Sequence, residues 1–324
     1  MNCFLVTVRE RFKRRLSIRQ TKYLMPCNFF VDWQMLKYLK EVNTKKTIFD
    51  LNMIINQLKD IIERGHRIEL HIHPHWIDAK YNGDGTWNFS DFQHYSLNRF
   101  TEEEIIDMFV EGTSLLTSIA HEVDLEYKIV AFRAGGWAVQ PFSLLKKAFN
   151  KSGIKIDSSV AAGVYGKNQY SYFDFIDSPK DIAWIFENDV LIPQDTGSFI
   201  EVPISSYKRA FLHKAFDYIA RHTTSSLKPL TDGTHFRSDL IEEETSRAIR
   251  NMSRYTMSQR TTISVLLALL ENKANLITYI DHPKDLSTSA LTSIKVLSYF
   301  ARSITYKQIY EQKNPFGISG ITSA

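Results

Sequence analysis

Seven short apolar runs, most of them followed by a longer stretch with helical periodicity, constrain this chain more than any other feature. The runs occupy residues 3–8, 27–33, 67–73, 127–133, 153–160, 197–205 and 274–281. Strands of this length spaced by amphipathic helices imply an α/β fold whose sheet is largely parallel, because each crossover helix needs a sheet face to cover. Residues 49–65 put Leu51, Ile54, Ile55, Leu58, Ile61 and Ile62 on one helical face and stop at Gly65. Residues 101–123 open with Thr101 and Glu104, the spacing of a capping box. Residues 141–153 begin with Pro141 and end with Gly153. The pattern predicts an irregular (β/α)7-type barrel in a single domain over residues 1–312. A helical insertion at 237–272 precedes the last strand, a C-terminal helix or two lie within 286–312, and 313–324 form a loose tail.

Composition adds boundaries to this reading. The net charge of +4 over 324 residues gives no reason to expect a nucleic-acid partner. The basic run Arg9, Arg11, Lys13, Arg14, Arg15, Arg19 and Lys22, with Glu10 its one acid, reads as a solvated face, with contact to an anionic membrane surface as the alternative. Two cysteines, Cys3 and Cys27, are too few for a disulfide scaffold and fit a reducing compartment. No run is long and apolar enough to span a bilayer, and basic residues follow rather than precede the N-terminal apolar run, so the expected location is cytoplasmic.

The chemistry concentrates in ELHIHPHW, residues 69–76. Alternate residues of a strand share a side, so His71 and His73, and His75 if the chain stays extended that far, project together near the strand's C-terminal end, where Pro74 stops the ladder. Sites in α/β barrels are built at that end. Imidazoles suit zinc and similar divalent ions, and a catalytic zinc site needs three protein ligands with one position left open. The spacing alone leaves open which of the three histidines bind. A histidine-rich turn without an ion is the alternative.

Taken in order, several segments resemble the motifs of the polysaccharide deacetylases, carbohydrate esterases with the NodB homology domain. GHRIELHIHPHW (65–76) is similar to the motif with two metal-binding histidines four apart, a spacing met by His71 and His75, with His73 as alternative ligand. FRAGGW (132–137) resembles the motif carrying a functional arginine, here Arg133. GIKIDSSV (153–160) offers Asp157 at an acidic position, and YIDHPKD (279–285) offers His282 as general acid. CNFFVDW and GSFIEVPIS are similar to further strands, and the resemblance spans about residues 4–310. It implies a metal-dependent hydrolase, with zinc the first expectation, that removes acetyl groups from a glycan or sugar precursor. Arg133 then orients the base, Asp157 tunes His282, and Trp76 and Trp137 are candidate sugar walls. Each has a plainer alternative: a surface ion pair for Arg133, a turn for Asp157, a solvent-facing position for His282, and core for one of the tryptophans.

The first motif departs from the pattern. Where the resemblance calls for two aspartates, base and third ligand, LVTVRERF (5–12) supplies Arg9 and Glu10. Glu10 can ligate an ion, but a guanidinium stays protonated and cannot act as a base. Three readings follow: a binding protein that has lost hydrolysis, another carboxylate such as Asp32 or Asp78 in the base's place, or an N-terminal stretch that aligns differently. A C–N hydrolase acting on small cyclic amides is a further alternative.

Overall fold

The computed structural model describes residues 2–8, 25–231, 244–247, 252–274 and 276–311. Its centre is a nine-stranded, mainly parallel sheet. The strands are β1 (Asn2–Val8), β2 (Asn28–Asp32), β3 (Arg67–Ile72), β4 (Ala131–Ala134), β5 (Ile156–Asp157), β6 (Trp184–Phe186), β7 (Phe199–Glu201), β8 (Leu276–Asp281) and β9 (Arg302–Ile304). The path across the sheet runs β6-β7-β5-β4-β3-β2-β1-β8, with β9 also paired to β1. All seven apolar runs carry a strand of this sheet. The β2, β3, β4, β5 and β7 neighbours are parallel. Their C-terminal ends therefore share one end of the sheet.

Eight α-helices lie among the described residues: α1 (Trp33–Val42), α2 (Lys45–Glu63), α3 (Glu102–His121), α4 (Lys146–Ser152), α5 (Phe211–Thr223), α6 (Thr262–Glu271), α7 (Thr288–Leu297) and α8 (Tyr306–Glu311). The capping box at Thr101 forms, with the Glu104 amide donating to Thr101 Oγ1 and the Thr101 amide to Glu104 Oε2. The apolar faces of α2 and α3 bury Leu58, Ile105, Phe109 and Leu116 completely, and the Phe109 ring sits 4.5 Å from that of Phe132 on β4. Each such side chain contributes roughly 1.5–3 kcal/mol of burial. Gly112 allows the approach of α3, since a Cβ there would stand 2.6 Å from the Trp33 ring. A second apolar cluster joins Tyr255, Val265, Leu269, Ile277, Tyr279 and Leu297, holding α6 and α7 against β8.

Two expectations change. The segment 237–272 is not one helical insertion. Glu244–Arg247 forms a strand antiparallel to Val164–Lys167, and Met252–Arg254 one antiparallel to Ser206–Lys208, before α6 begins. Both short segments meet edge strands with unpaired backbone groups, and that pairing outweighs weak helical propensity. The rest of 237–251 lies outside the described residues. Similarly, 286–311 holds two helices separated by β9, and the tail at 313–324 lies outside the described residues.

The larger change concerns β1. It runs antiparallel to β2, to β8 and to β9, with Asn2 opposite Phe30, Cys3 opposite Asp281, and Val8 opposite Leu276 and Arg302. The start of β1 is therefore at the end of the sheet where β2 and β8 finish, and its last residue is at the other end. Asp32 lies level with His71. At ~3.3 Å per residue, Val8 is about 26 Å along the strand axis from that level. Glu10 and Arg9 lie outside the described residues. The strand that opens LVTVRERF runs antiparallel to its neighbours rather than as a parallel first strand.

Backbone hydrogen bonds continue past the β8 edge. The Ile280 amide donates to the Tyr255 carbonyl, the Tyr255 amide to Ser205, and the Ile204 amide to Val160. Among the described residues no helix is long and apolar enough to cross a membrane.

Candidate functional site

Every residue of β3 is buried, and the strand ends at Ile72. His71 is its last inward-facing residue but one, His73 caps the turn, and His75 sits inside a 3-10 turn, Pro74–Asp78. The turn, not strand alternation, therefore sets His75. The three rings nonetheless cluster: His71 and His73 centroids are 4.4 Å apart, His73 and His75 5.1 Å. His75 stacks on Tyr95 and meets the edge of Phe89. Gly135 backs the turn, and a Cβ there would stand 2.6 Å from the Ile72 carbonyl and 3.0 Å from His73 Nδ1.

Burial keeps all three imidazoles neutral. It holds His71 and His73 well below the usual histidine range and lowers His75 to about 4. His71 Nδ1 lies 2.7 Å from the carbonyl oxygen of Arg133. A neutral imidazole meeting a carbonyl must donate from Nδ1, which leaves Nε2 as the basic nitrogen. This is the arrangement by which a backbone carbonyl orients a metal-ligating histidine.

Asp32 ends β2 directly beside His71. Its Oδ2 accepts the Trp76 indole N–H at 2.8 Å. Burial raises this carboxyl to about 7, against the opposing hydrogen bonds from Trp76 and from backbone amides. Asp78, the other carboxylate considered from sequence, is occupied by His94, whose Nδ1 is 2.9 Å from both of its oxygens. Trp76 is 9% exposed and stacks on Tyr38 with its edges toward Trp87 and Phe89. It belongs to the core beneath the turn and is not a sugar wall.

Arg133 is 1% exposed, so it is not a surface ion pair. Its carbonyl orients His71, while its guanidinium lies among Tyr306, Arg254, Asp157 and Glu201, and burial together with the Arg254 charge lowers it to about 9. Asp157 accepts from the Ser159 hydroxyl at 2.7 Å and the Ser159 amide at 3.1 Å. Glu201 faces it in register from β7. Burial raises Asp157, and burial with the neighbouring Asp157 raises Glu201 well above the usual range, so the two carboxyls retain a proton between them. The Ser159 hydroxyl in turn accepts the Ala134 amide, which ties this pair to the end of β4. Asp157 therefore braces the β4–β5–β7 ends. Asp285 Oδ2 lies 3.9 Å from His282 Nδ1.

His282 follows β8 and lines a cleft of about 360 Å³ with Trp137, Arg254, Arg260, Asp281 and Asp285. Of the two tryptophans, Trp137 is the one that lines this cleft. It adopts the left-handed region at φ 61°, touches Phe173 by its edge, and carries the Arg254 guanidinium 4.5 Å above its ring. A surface groove of about 820 Å³ also lies between the C-terminal part of α3 and residues 125–130. It sits at the opposite end of the sheet, where β4 begins, away from all these groups.

Sequence reading missed Arg254, Arg260, Glu201 and His94. Arg254 and Arg260 fall within the segment assigned to a helix. Glu201 was inside a quoted strand, and a lone charge in an otherwise apolar run is the signal that could have found it. Asp285, three residues after His282, was legible as its neighbour across one turn.

The donor chemistry of the histidines fits a divalent ion. A complete set is not assembled: among the described residues no three His, Cys, Asp or Glu side chains are arranged to hold one. No family model, curated protein or solved structure matches the chain.

Proposed function

We propose that the protein is a metal-dependent hydrolase resembling the polysaccharide deacetylases, acting on an acetylated sugar or glycan, with Asp32 in place of the missing first-motif base. The observation that carries this reading is the placement of Asp32. It stands beside His71 in register, and the indole of Trp76, from the same turn as His75, holds its carboxylate. The irregular barrel belongs to the same proposal, supported by the hydrogen bonds that lead from Ile280 through Tyr255 to Ser205.

His71 and His75 would hold the ion, with His73 as alternative and zinc as the first candidate. An ion there supplies Lewis acidity toward the acetyl carbonyl. Asp32, raised to about 7, is matched to accept a proton from the attacking water near neutrality. Water adds to the carbonyl carbon, the C–N or C–O bond breaks, and His282 delivers a proton to the departing nitrogen or oxygen. Asp285 stands 3.9 Å from His282 Nδ1, on the side of the ring away from that transfer if Nε2 delivers the proton. Arg133 orients His71 through its carbonyl.

The test combines metal analysis with acetate release from acetylated amino sugars. Stoichiometric zinc, lost in His71→Ala and His75→Ala, with turnover abolished in Asp32→Asn, is the expected result. The incomplete ligand set favours a second reading, a protein that binds carbohydrate without hydrolysing it. Tight glycan binding with no acetate from any substrate would establish that reading instead.

A further inference from the structure

The cleft beside His282 does not end at the proposed reacting centre. It continues into a smaller recess of about 100 Å³ lined by Ser206, Ser253, Arg254, Thr256 and Arg260, with Val164 and Met252 as its apolar floor. Arg254, Thr256 and Arg260 line both compartments. The composition changes along the way. The outer part holds Asp281 and Asp285 beside the two arginines, whereas among the described residues no acid lines the recess.

The framework that presents these arginines is fixed. Asp281 at the end of β8 accepts the Thr256 hydroxyl and the amides of Met257 and Ser258, so its charge is turned into the loop. The Ile280 amide bonds Tyr255, and Met252–Arg254 pairs with Ser206–Lys208. The Arg254 guanidinium sits 4.5 Å over the Trp137 ring. Arg260 reaches the Ser253 hydroxyl at 3.4 Å, and its Nε is 3.7 Å from Asp217. Asp217 is already shared with Arg209 at 2.8 Å and with the Thr261 amide at 2.9 Å. One carboxylate thus faces two guanidiniums, and Arg133 adds a third cationic group close enough to Arg254 for each to disfavour the other's charge. The Thr256 and Ser206 hydroxyls donate to Asp281 and to the Ala162 carbonyl, so the donors left to face the recess are the guanidiniums.

Converging guanidiniums in a recess too small for a sugar ring match a tetrahedral or planar oxyanion. We infer that the recess is an anion subsite, and that the substrate is a sugar carrying a phosphoryl or carboxylate group, held by Arg254 and Arg260 while its neutral part lies against Trp137 and reaches His282. The inference rests on the proposed hydrolase reading for the identity of the sugar, but the anion subsite stands on its own geometry.

Calorimetric titration of the full-length protein with N-acetylglucosamine, its 1-phosphate, its 6-phosphate and N-acetylglucosaminuronic acid tests it, with acetate release measured separately on the same four compounds. At least one charged compound binds tenfold or more tighter than the neutral sugar, and the phosphates and the uronic acid together separate phosphoryl from carboxylate recognition. The preference falls to threefold or less in Arg254→Gln and in Arg260→Gln, and circular dichroism verifies that each variant is folded. Arg254→Lys, which keeps the charge but not the fork, recovers part of it. Equal affinity for charged and neutral compounds, absence of binding by every charged compound at millimolar concentration, or a preference that survives folded arginine variants overturns the subsite. A preference that depends on the arginines, without acetate from any compound, refutes the hydrolase reading and leaves the subsite standing. Acetate release without charge preference does the reverse.

Discussion

Asp32→Asn is the sharpest perturbation, because Asp32 is a buried carboxyl beside His71 that burial raises from 3.8 to about 7. Asparagine keeps the shape and still offers an oxygen to the Trp76 indole. A folded-state pKa above the unfolded value means that the folded protein binds the proton more tightly. The stabilisation is therefore fully present below about pH 4 and is lost as pH rises through about 7. A shift of this size is worth about 4 kcal/mol in total, of which about 3 kcal/mol falls between pH 5 and pH 8. The variant lacks this titration. Its stability relative to wild type therefore improves by about 3 kcal/mol on going from pH 5 to pH 8. For 324 residues that is on the order of 5 °C in Tm, at ~2.1 cal/mol/K per residue. Urea denaturation of both proteins with chelator present, at half-unit pH intervals, reads the difference directly, and the other titrating groups cancel. A stability difference that stays constant within about 1 kcal/mol from pH 5 to pH 8 would show an ordinary, ionised aspartate, and the assignment of Asp32 as the base would fall with it.

Other consequences follow from the same geometry. Trp76→Phe removes a hydrogen bond that favours the Asp32 carboxylate, so the inflection near pH 7 moves upward, measured in the same titration. Glu69→Ala leaves the buried Arg67 guanidinium and the Val130 and Ala131 amides without their acceptor, and should destabilise by about 3–5 kcal/mol in urea. Gly112→Ala forces a methyl group into the Trp33 ring and Leu70, and a loss of about 1–3 kcal/mol is expected; a neutral result would mean that α3 can shift away from β3. Gly135→Ala pushes on Ile72 and His73, so it should perturb the histidine ring resonances in NMR spectra while leaving the fold intact.

How much of this was legible in advance depends on the range of the interaction. The runs at 27–33 and 67–73 became β2 and β3 because burial on both faces selects continuous apolar sequence. Thr101 and Gly65 marked helix ends by chemistry confined to one turn. His282 and Arg133 were singled out at strand ends, and Asp285 is legible one turn after His282. Tyr306 and Glu201 were not, because they meet Arg133 from strands and helices that local periodicity does not connect. Trp76 and Trp137 looked equivalent in the chain and separated only when one was packed under the histidine turn and the other against a cleft.

By itself, then, the sequence determined an α/β chain with a mainly parallel sheet and a histidine cluster at a strand end, because hydrophobic period and local caps act within a few residues. It could not determine the direction of β1, since alternation reads the same from either end and only the pairing with β2 and β8 chooses. That choice sets Val8 at the far end of the sheet from the level of His71. Tertiary structure likewise decided that Asp32, unremarkable after an apolar run, is desolvated beside His71, and that Arg254 and Arg260 converge on one recess. Burial and charge convergence are sums over segments distant in sequence, and they come into being only when the chain is folded.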